Sequence, residues 1–224
     1  MLRTDEIHGA SETGRVVLRP ARRHSPTVEL VESEKGRAVR KSYDDCPWFL
    51  RWTIGRLAVS RECWALSKLK DSVHAPNLLA RPNPWTLVTE YIEGTGLEDL
   101  PAGQVSGRAL LKEAHSLLND LARYGVVHGD IGHDHWQDMG RESNLIWTDQ
   151  GRLVSIDFGG ALPSRTDTFA LGGLVRALSC HDRLLLTKIQ YHFQQADLGT
   201  AQEEPEQVRW PLEIWDTLHL LGKL

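Results

Sequence analysis

With 224 residues, 41% of them apolar and 25% charged, the chain is long enough to bury the core of one domain, or of two small lobes sharing a cleft. A formal net charge of −4 gives no electrostatic case for nucleic acid as a partner, although Arg19, Arg22 and Arg23 form a local basic cluster suited to a small anion. No run approaches the ~18 apolar residues of a membrane span, and Met1–Glu6 lacks the apolar stretch of a signal peptide. Three scattered cysteines (Cys46, Cys63, Cys180) without CxxC spacing point to a reducing, cytoplasmic setting rather than to disulfides or zinc.

In chain order, residues 1–13 are polar and expected to be flexible. Three β runs follow, Arg15–Arg19, Thr27–Glu32 and Arg37–Tyr43, the last two joined by the turn signal Glu34-Lys-Gly36. A helix is predicted over about 56–70, where Ala58, Glu62, Leu66 and Leu69 share one face and place a carboxylate within an apolar stripe. Short strands are expected near 77–80 and 86–92, the second broken by Glu93-Gly-Thr-Gly96. An amphipathic helix over about 106–123 carries its apolar stripe on Leu110, Ala114, Leu117, Leu118 and Leu121; Ser106 is its expected cap and Gly125 its stop. Two short strands, 144–147 and 153–156, flank the turn Asp149-Gln-Gly151. The remainder reads as helix at about 166–178, 183–195 and 211–221, with capping-box spacing at Thr200 and Glu203. Antiparallel strands with one helix, followed by helices with a small hairpin, describe an α+β, two-lobe outline.

The chemistry concentrates in Val127-His-Gly-Asp130, Asn144-Leu-Ile-Trp147 and Ile156-Asp-Phe-Gly159. An aspartate, a downstream asparagine and a second aspartate suit Mg²⁺-dependent phosphoryl transfer. One carboxylate orients the attacking hydroxyl, while an amide oxygen and another carboxylate are hard ligands for Mg²⁺ against phosphate. Strand alternation puts Lys41 on the same face as Val39, which favours an inward lysine.

These motifs resemble the catalytic core of the protein-kinase-like superfamily. His-Gly-Asp in place of His-Arg-Asp looks like its RIO, lipopolysaccharide-kinase and aminoglycoside-phosphotransferase branches, and Arg61-Glu-X-X-Ala-Leu66 most resembles the small bacterial lipopolysaccharide-kinase and RIO-like group. The resemblance spans about residues 15–160. It implies a minimal protein-kinase-like two-lobe fold, with a small antiparallel β N-lobe over 14–92 and a short helical C-lobe over 93–224. It further implies that Asp130 is the catalytic base, that Asn144 and Asp157 ligate Mg²⁺, and that Lys41, positioned by Glu62, contacts the α- and β-phosphates of ATP. Thr86–Gly94 resembles the hinge strand, whose backbone would meet adenine at Glu90 and Ile92. The implied partners are ATP and a hydroxyl acceptor on a protein, saccharide or lipid.

The chain departs from that pattern in three places. Thirteen residues, Ile131 to Ser143, separate Asp130 from Asn144, a longer loop than in protein kinases, so Asp134 or Asp138 enters consideration for the metal site. The turn Pro20-Ala-Arg-Arg-His-Ser-Pro26 has no glycine-rich loop, leaving Arg22, Arg23 or Ser25 to contact phosphate through side chains. No Ala-Pro-Glu motif follows Gly159, and regulation through an activation segment is not expected. Three other readings stand beside the kinase. A pseudokinase would bind partners without turnover, but would not need Lys41, Glu62, Asp130, Asn144 and Asp157 together. An aminoglycoside-phosphotransferase-like enzyme would need a larger helical region for its drug pocket. A metal-dependent hydrolase would use His128, Asp130, His133, Asp134 and His135, whose spacing matches no zinc pattern and leaves Asp157-Phe-Gly unexplained.

Overall fold

A computed structural model describes residues 15–21, 25–33, 36–101, 103–131, 144–165 and 169–198. The expectations for residues 1–13, Arg22 and Arg23, Glu34 and Lys35, the insert from 132 to 143, Thr200 with Glu203, and the helix at 211–221 lie outside these residues.

The N-terminal half builds a five-stranded antiparallel sheet in the order β1-β2-β3-β5-β4. Its strands are β1 (Val16–Arg19), β2 (Thr27–Ser33), β3 (Gly36–Ser42), β4 (Leu78–Asn83) and β5 (Thr86–Glu90). The β2–β3 hairpin keeps full register from Thr27↔Ser42 to Ser33↔Gly36, and β5 lies beside β3 with Lys41 opposite Leu87. The strands expected near 77–80 and 86–92 therefore form one hairpin, longer at the first arm and ending at Glu90.

The helix predicted at 56–70 is α1 (Arg56–Lys68). A helical turn at Trp48–Leu50 and a π-helical turn at Arg51–Gly55 run directly into it. Gly55 is packed so tightly that a Cβ there would lie 2.7 Å from the Tyr43 ring. The aromatic residues of this entry point outward: Trp48 is 71% and Phe49 51% exposed, and Trp52 packs on Trp85 at 5.0 Å. Trp85 also donates from Nε1 to Asp44 and lies under the Arg51 guanidinium. Trp64, by contrast, packs against the core as its helical position suggested.

α1 joins two apolar clusters. Its Val59 and Cys63 pack with Tyr43, Cys46, Leu50 and Leu87 under the sheet, whereas Ala65, Leu66 and Leu69 belong to the core of the C-terminal half. Such a helix cannot rotate without disturbing both clusters, since close-packed interiors tolerate little displacement.

The C-terminal half carries short strands β6 (Thr95–Gly96), β7 (Val126–Val127), β8 (Leu145–Trp147), β9 (Leu153–Ser155) and β10 (Leu162–Pro163). Its helices are α2 (Gly107–Arg123) and α3 (Phe169–Leu198). Ser106 caps α2 as expected, its hydroxyl accepting from the Ala109 N–H. The connection between the halves passes Gly94 against β8, where a Cβ would stand 2.3 Å from the Trp147 carbonyl oxygen. Only glycine fits there, and β6 then pairs with β8.

The two helices expected at 166–178 and 183–195 are a single 30-residue helix, α3. Within the expected break, Ser179 donates its hydroxyl to the Val175 carbonyl, and Asp182 is buried against the loop after β7. No helix among the described residues is long and apolar enough to cross a membrane. None of the three cysteines is disulfide-bonded.

Candidate active site

Alternation along β3 turns Lys41 inward, and the α1 stripe turns Glu62 toward it. Lys41 Nζ donates to Glu62 Oε1 at 2.8 Å and to Asp157 Oδ1 at 3.0 Å. Lys41 is 8% and Glu62 4% exposed, so both charges are withdrawn from water and hold each other in place. Burial works against the lysine's charge, but the Asp157 and Glu62 carboxylates outweigh it and keep the ammonium protonated well above the usual lysine range. The neighbouring Lys41 holds the Asp157 carboxyl down to about 2, against burial and with help from Arg19. The site thus presents a fixed ammonium and an ionised aspartate at neutral pH.

Asp157 has φ 63° and ψ 68°, the one left-handed residue other than glycine among those described. A non-glycine residue held there stores strain, which surrounding contacts must fix. The fixing contacts lie on both sides. Asn144 accepts the Ile156 N–H at its carbonyl, and Phe158 is fully buried against the His128 ring at 4.5 Å.

The loop after β7 supplies Asp130. Asn144 Nδ2 donates to both the backbone oxygen of Asp130, at 3.0 Å, and its Oδ2, at 2.9 Å. Asn144 therefore braces Asp130 while its own position at the start of the β8–β9 hairpin puts it beside Ile156. From the other side, Asp182 on α3 accepts the N–H groups of His128 and Gly129, each at 2.8 Å. Gly129 sits at φ +81°, and a Cβ would press on Leu178 at 3.3 Å. Sequence reasoning missed Asp182 as a site residue; a buried aspartate facing a helix's inner side gives no motif of its own.

His128 is fully buried, with Nε2 bonded to the Ile156 carbonyl at 3.0 Å. Burial pushes its pKa down to about 4, so the ring is neutral and bridges the two loops as a structural histidine. Of the alternative metal set, His133, Asp134 and His135 lie outside the described residues. Because the folded ring resists protonation below the usual histidine value of about 6.5, its contribution to stability is complete above that pH. The contribution is lost as pH falls from about 6.5 toward about 4. His128→Gln should remove this acid-side loss, read as a flatter or reversed dependence of unfolding free energy on pH over that window.

One cavity of about 260 Å³ is lined by Lys41, Glu62, Asp130 and Asp157, together with Arg19 and Ser25. Three of the sequence-predicted anions and the lysine thus share one space, with Asn144 tied to Asp130 at its edge. Glu90 and Ile92 are not among the lining residues. Glu90 ends β5, donating its N–H to the Asn77 carbonyl and accepting the Asn77 amide at Oε2; Ile92 lies in the connection between the halves.

The donors here are hard oxygens without a soft ligand. Among the described residues no cluster of three or more His, Cys, Asp and Glu is placed to hold a metal alone. That composition fits Mg²⁺, which binds through one or two protein oxygens and completes its shell with phosphates and water.

No protein-family model matches the sequence, and no curated protein does. Solved structures do match. The Rio2 kinase–ADP/Mg²⁺–phosphoaspartate complex from Chaetomium thermophilum superposes with a TM-score of 0.56 at 15% identity, covering 85% of this chain and 58% of that one. A second structure of the Rio2 kinase from Chaetomium thermophilum gives 0.57 at 16% identity, covering 82% and 57%. The chain thus spans under three-fifths of the length of these two proteins, and shares with them the protein-kinase-like fold.

Proposed function

We propose that the chain is a phosphotransferase that moves the γ-phosphoryl group of ATP to a hydroxyl acceptor. The observation that carries this is the Lys41 ammonium bonded to Glu62 and Asp157 in a cavity that Asp130 also lines. In this reading the Lys41 ammonium orients the phosphates, and Glu62 keeps it aimed. Asp130, bonded by Asn144 in a loop that Asp182 holds through the N–H groups of His128 and Gly129, takes the proton of the attacking hydroxyl. Adenine lies against the backbone at Glu90 and Ile92. Asn144 and Asp157 would hold Mg²⁺, which when bound neutralises charge on the phosphates. The structure neighbours support the reading because one of them is described as an ADP and Mg²⁺ complex.

Within the kinase-like group we place the chain with the RIO-like and lipopolysaccharide-kinase-like enzymes, on its His128-Gly-Asp130 and Arg61-Glu62 motifs, acting on a protein or a saccharide or lipid headgroup in the cytoplasm.

A thermal melt tests binding first. ATP with Mg²⁺ at ~100 times its Kd should stabilise the fold by about 2.7 kcal/mol, or roughly 5–11 °C for a domain of this size. Zn²⁺ alone giving the shift, with none from ATP and Mg²⁺, would favour a hydrolase. A shift from ATP without any release or transfer of labelled phosphate would leave a pseudokinase.

A further inference from the structure

β1 breaks the ordinary pattern of an edge strand. Val16, Val17 and Leu18 are exposed at 57%, 54% and 49%, whereas Arg19, the charged residue of the strand, is the one turned inward. The pairing of β1 with β2 is irregular between Val17 and Arg19. A bulge of that kind re-aims a side chain at the cost of regular pairing. A strand that leaves its valines in water while its arginine is the less exposed residue departs from ordinary patterning, and such local conflicts are expected at functional positions.

Arg19 lines the same cavity as Lys41 and Asp157. Its nearest anion is Asp157 Oδ2, 3.9 Å from Nη2, a long pair between groups about one-third exposed. Its Nε is buried with no hydrogen-bond partner among the described residues. A buried N–H without an acceptor is costly, and a guanidinium presents five donors in a flat fork. The cavity therefore contains a cation whose Nε has no hydrogen-bond partner among the described residues and whose Nη2 has only the long contact with Asp157 there. An oxyanion with several acceptor oxygens answers that geometry, and a polyphosphate answers it best.

We infer that Arg19 is a phosphate-binding residue of the nucleotide site, taking by side-chain hydrogen bonds the role a glycine-rich loop performs with backbone N–H groups. The inference rests on the nucleotide reading of the cavity given above. Arg19 bonds phosphate oxygens through its guanidinium beside the Lys41 ammonium, and Ser25, across the β1–β2 connection, lines the same cavity. On binding, the guanidinium exchanges its weak contact with Asp157 for phosphate oxygens, which leaves Asp157 to Lys41 and the metal.

Calorimetric titration of ATP, ADP and adenosine, with Mg²⁺, into wild type, Arg19→Gln and Arg19→Lys tests this. Wild-type affinity should rise with phosphate number. Arg19→Gln should bind ATP and ADP ~10- to 100-fold more weakly, the usual loss for a charge-assisted bidentate contact, with adenosine unaffected and the melting curve retained. Arg19→Lys keeps the charge without the fork and should fall between the two. Wild-type binding of ATP with equal affinity in both variants would overturn the role of Arg19 and leave the nucleotide site standing. Failure of wild type to bind any of the three would overturn the nucleotide reading itself, and this inference with it.

Discussion

Asp130→Asn is expected to slow phosphoryl transfer by ~10²- to 10⁴-fold, the usual contribution of a positioned general base, while ATP binding changes little. The asparagine keeps the shape of the side chain, so the hydrogen bond from Asn144 Nδ2 to its oxygen at 2.9 Å can persist. What disappears is the negative charge that accepts the acceptor's proton. Asp130 lines the cavity, whereas Lys41, the proposed phosphate-orienting group, is bonded to Glu62 and Asp157. On the proposed reading binding and chemistry fall to different groups, and the variant should separate them. The measurement is label transferred from [γ-³²P]ATP under saturating nucleotide, alongside calorimetric ATP affinity. Equal label incorporation by wild type and variant would remove Asp130 from the mechanism. A parallel loss of ATP affinity would place Asp130 in nucleotide binding instead.

The parts of this site legible in the sequence were those whose chemistry depends on residue type at a spacing. Lys41 follows from strand alternation, Glu62 from a carboxylate inside an apolar helical stripe, and Asp130, Asn144 and Asp157 from their order around a hairpin. All five come together around one cavity or its edge. The parts that were not legible depend on what the backbone does. Arg19 stood in the sequence as one member of a basic cluster, and Arg22, Arg23 and Ser25 drew the phosphate assignment. The structure shows that Arg19 lines the cavity, at an irregular point of β1 pairing that the sequence does not announce. The helical turns ahead of α1 were hidden because Trp48, Phe49 and Trp52 face water, so no apolar periodicity announces them. The split of α3 into two helices had the same origin in reverse. Ser179-Cys-His-Asp182 reads as a polar interruption, yet in the fold Asp182 is an inward residue whose partners are backbone N–H groups. Patterning reports the solvent boundary, and it fails where a polar side chain is buried to hold a loop.

Asp182→Ala should be the most destabilising single change among the residues supporting the site. It leaves the N–H groups of His128 and Gly129, each 2.8 Å from the carboxylate, without an acceptor in a buried loop. At ~1–3 kcal/mol for each orphaned donor, the expected loss is about 2–6 kcal/mol, measured by urea unfolding. Asp182→Asn discriminates further, because the amide can accept from only one side and would turn N–H donors against the loop's own. A pH series then identifies the carboxyl itself. Burial pushes the Asp182 pKa up to about 7, against the backbone N–H groups of Gly129, His128 and Ile131. Between about 4 and about 7 the folded protein therefore holds a proton that the unfolded chain has released. Its contribution to stability consequently declines as pH rises through that window. His128, buried neutral, contributes with the opposite sign between about 4 and about 6.5. In wild type the two oppose each other. Asp182→Asn should expose the histidine and give stability that climbs with pH, and His128→Gln should expose the aspartate and give stability that falls. Identical pH profiles for the two variants would mean that neither group titrates between the folded and unfolded states. The clamp on the Asp130 loop would then rest on geometry alone.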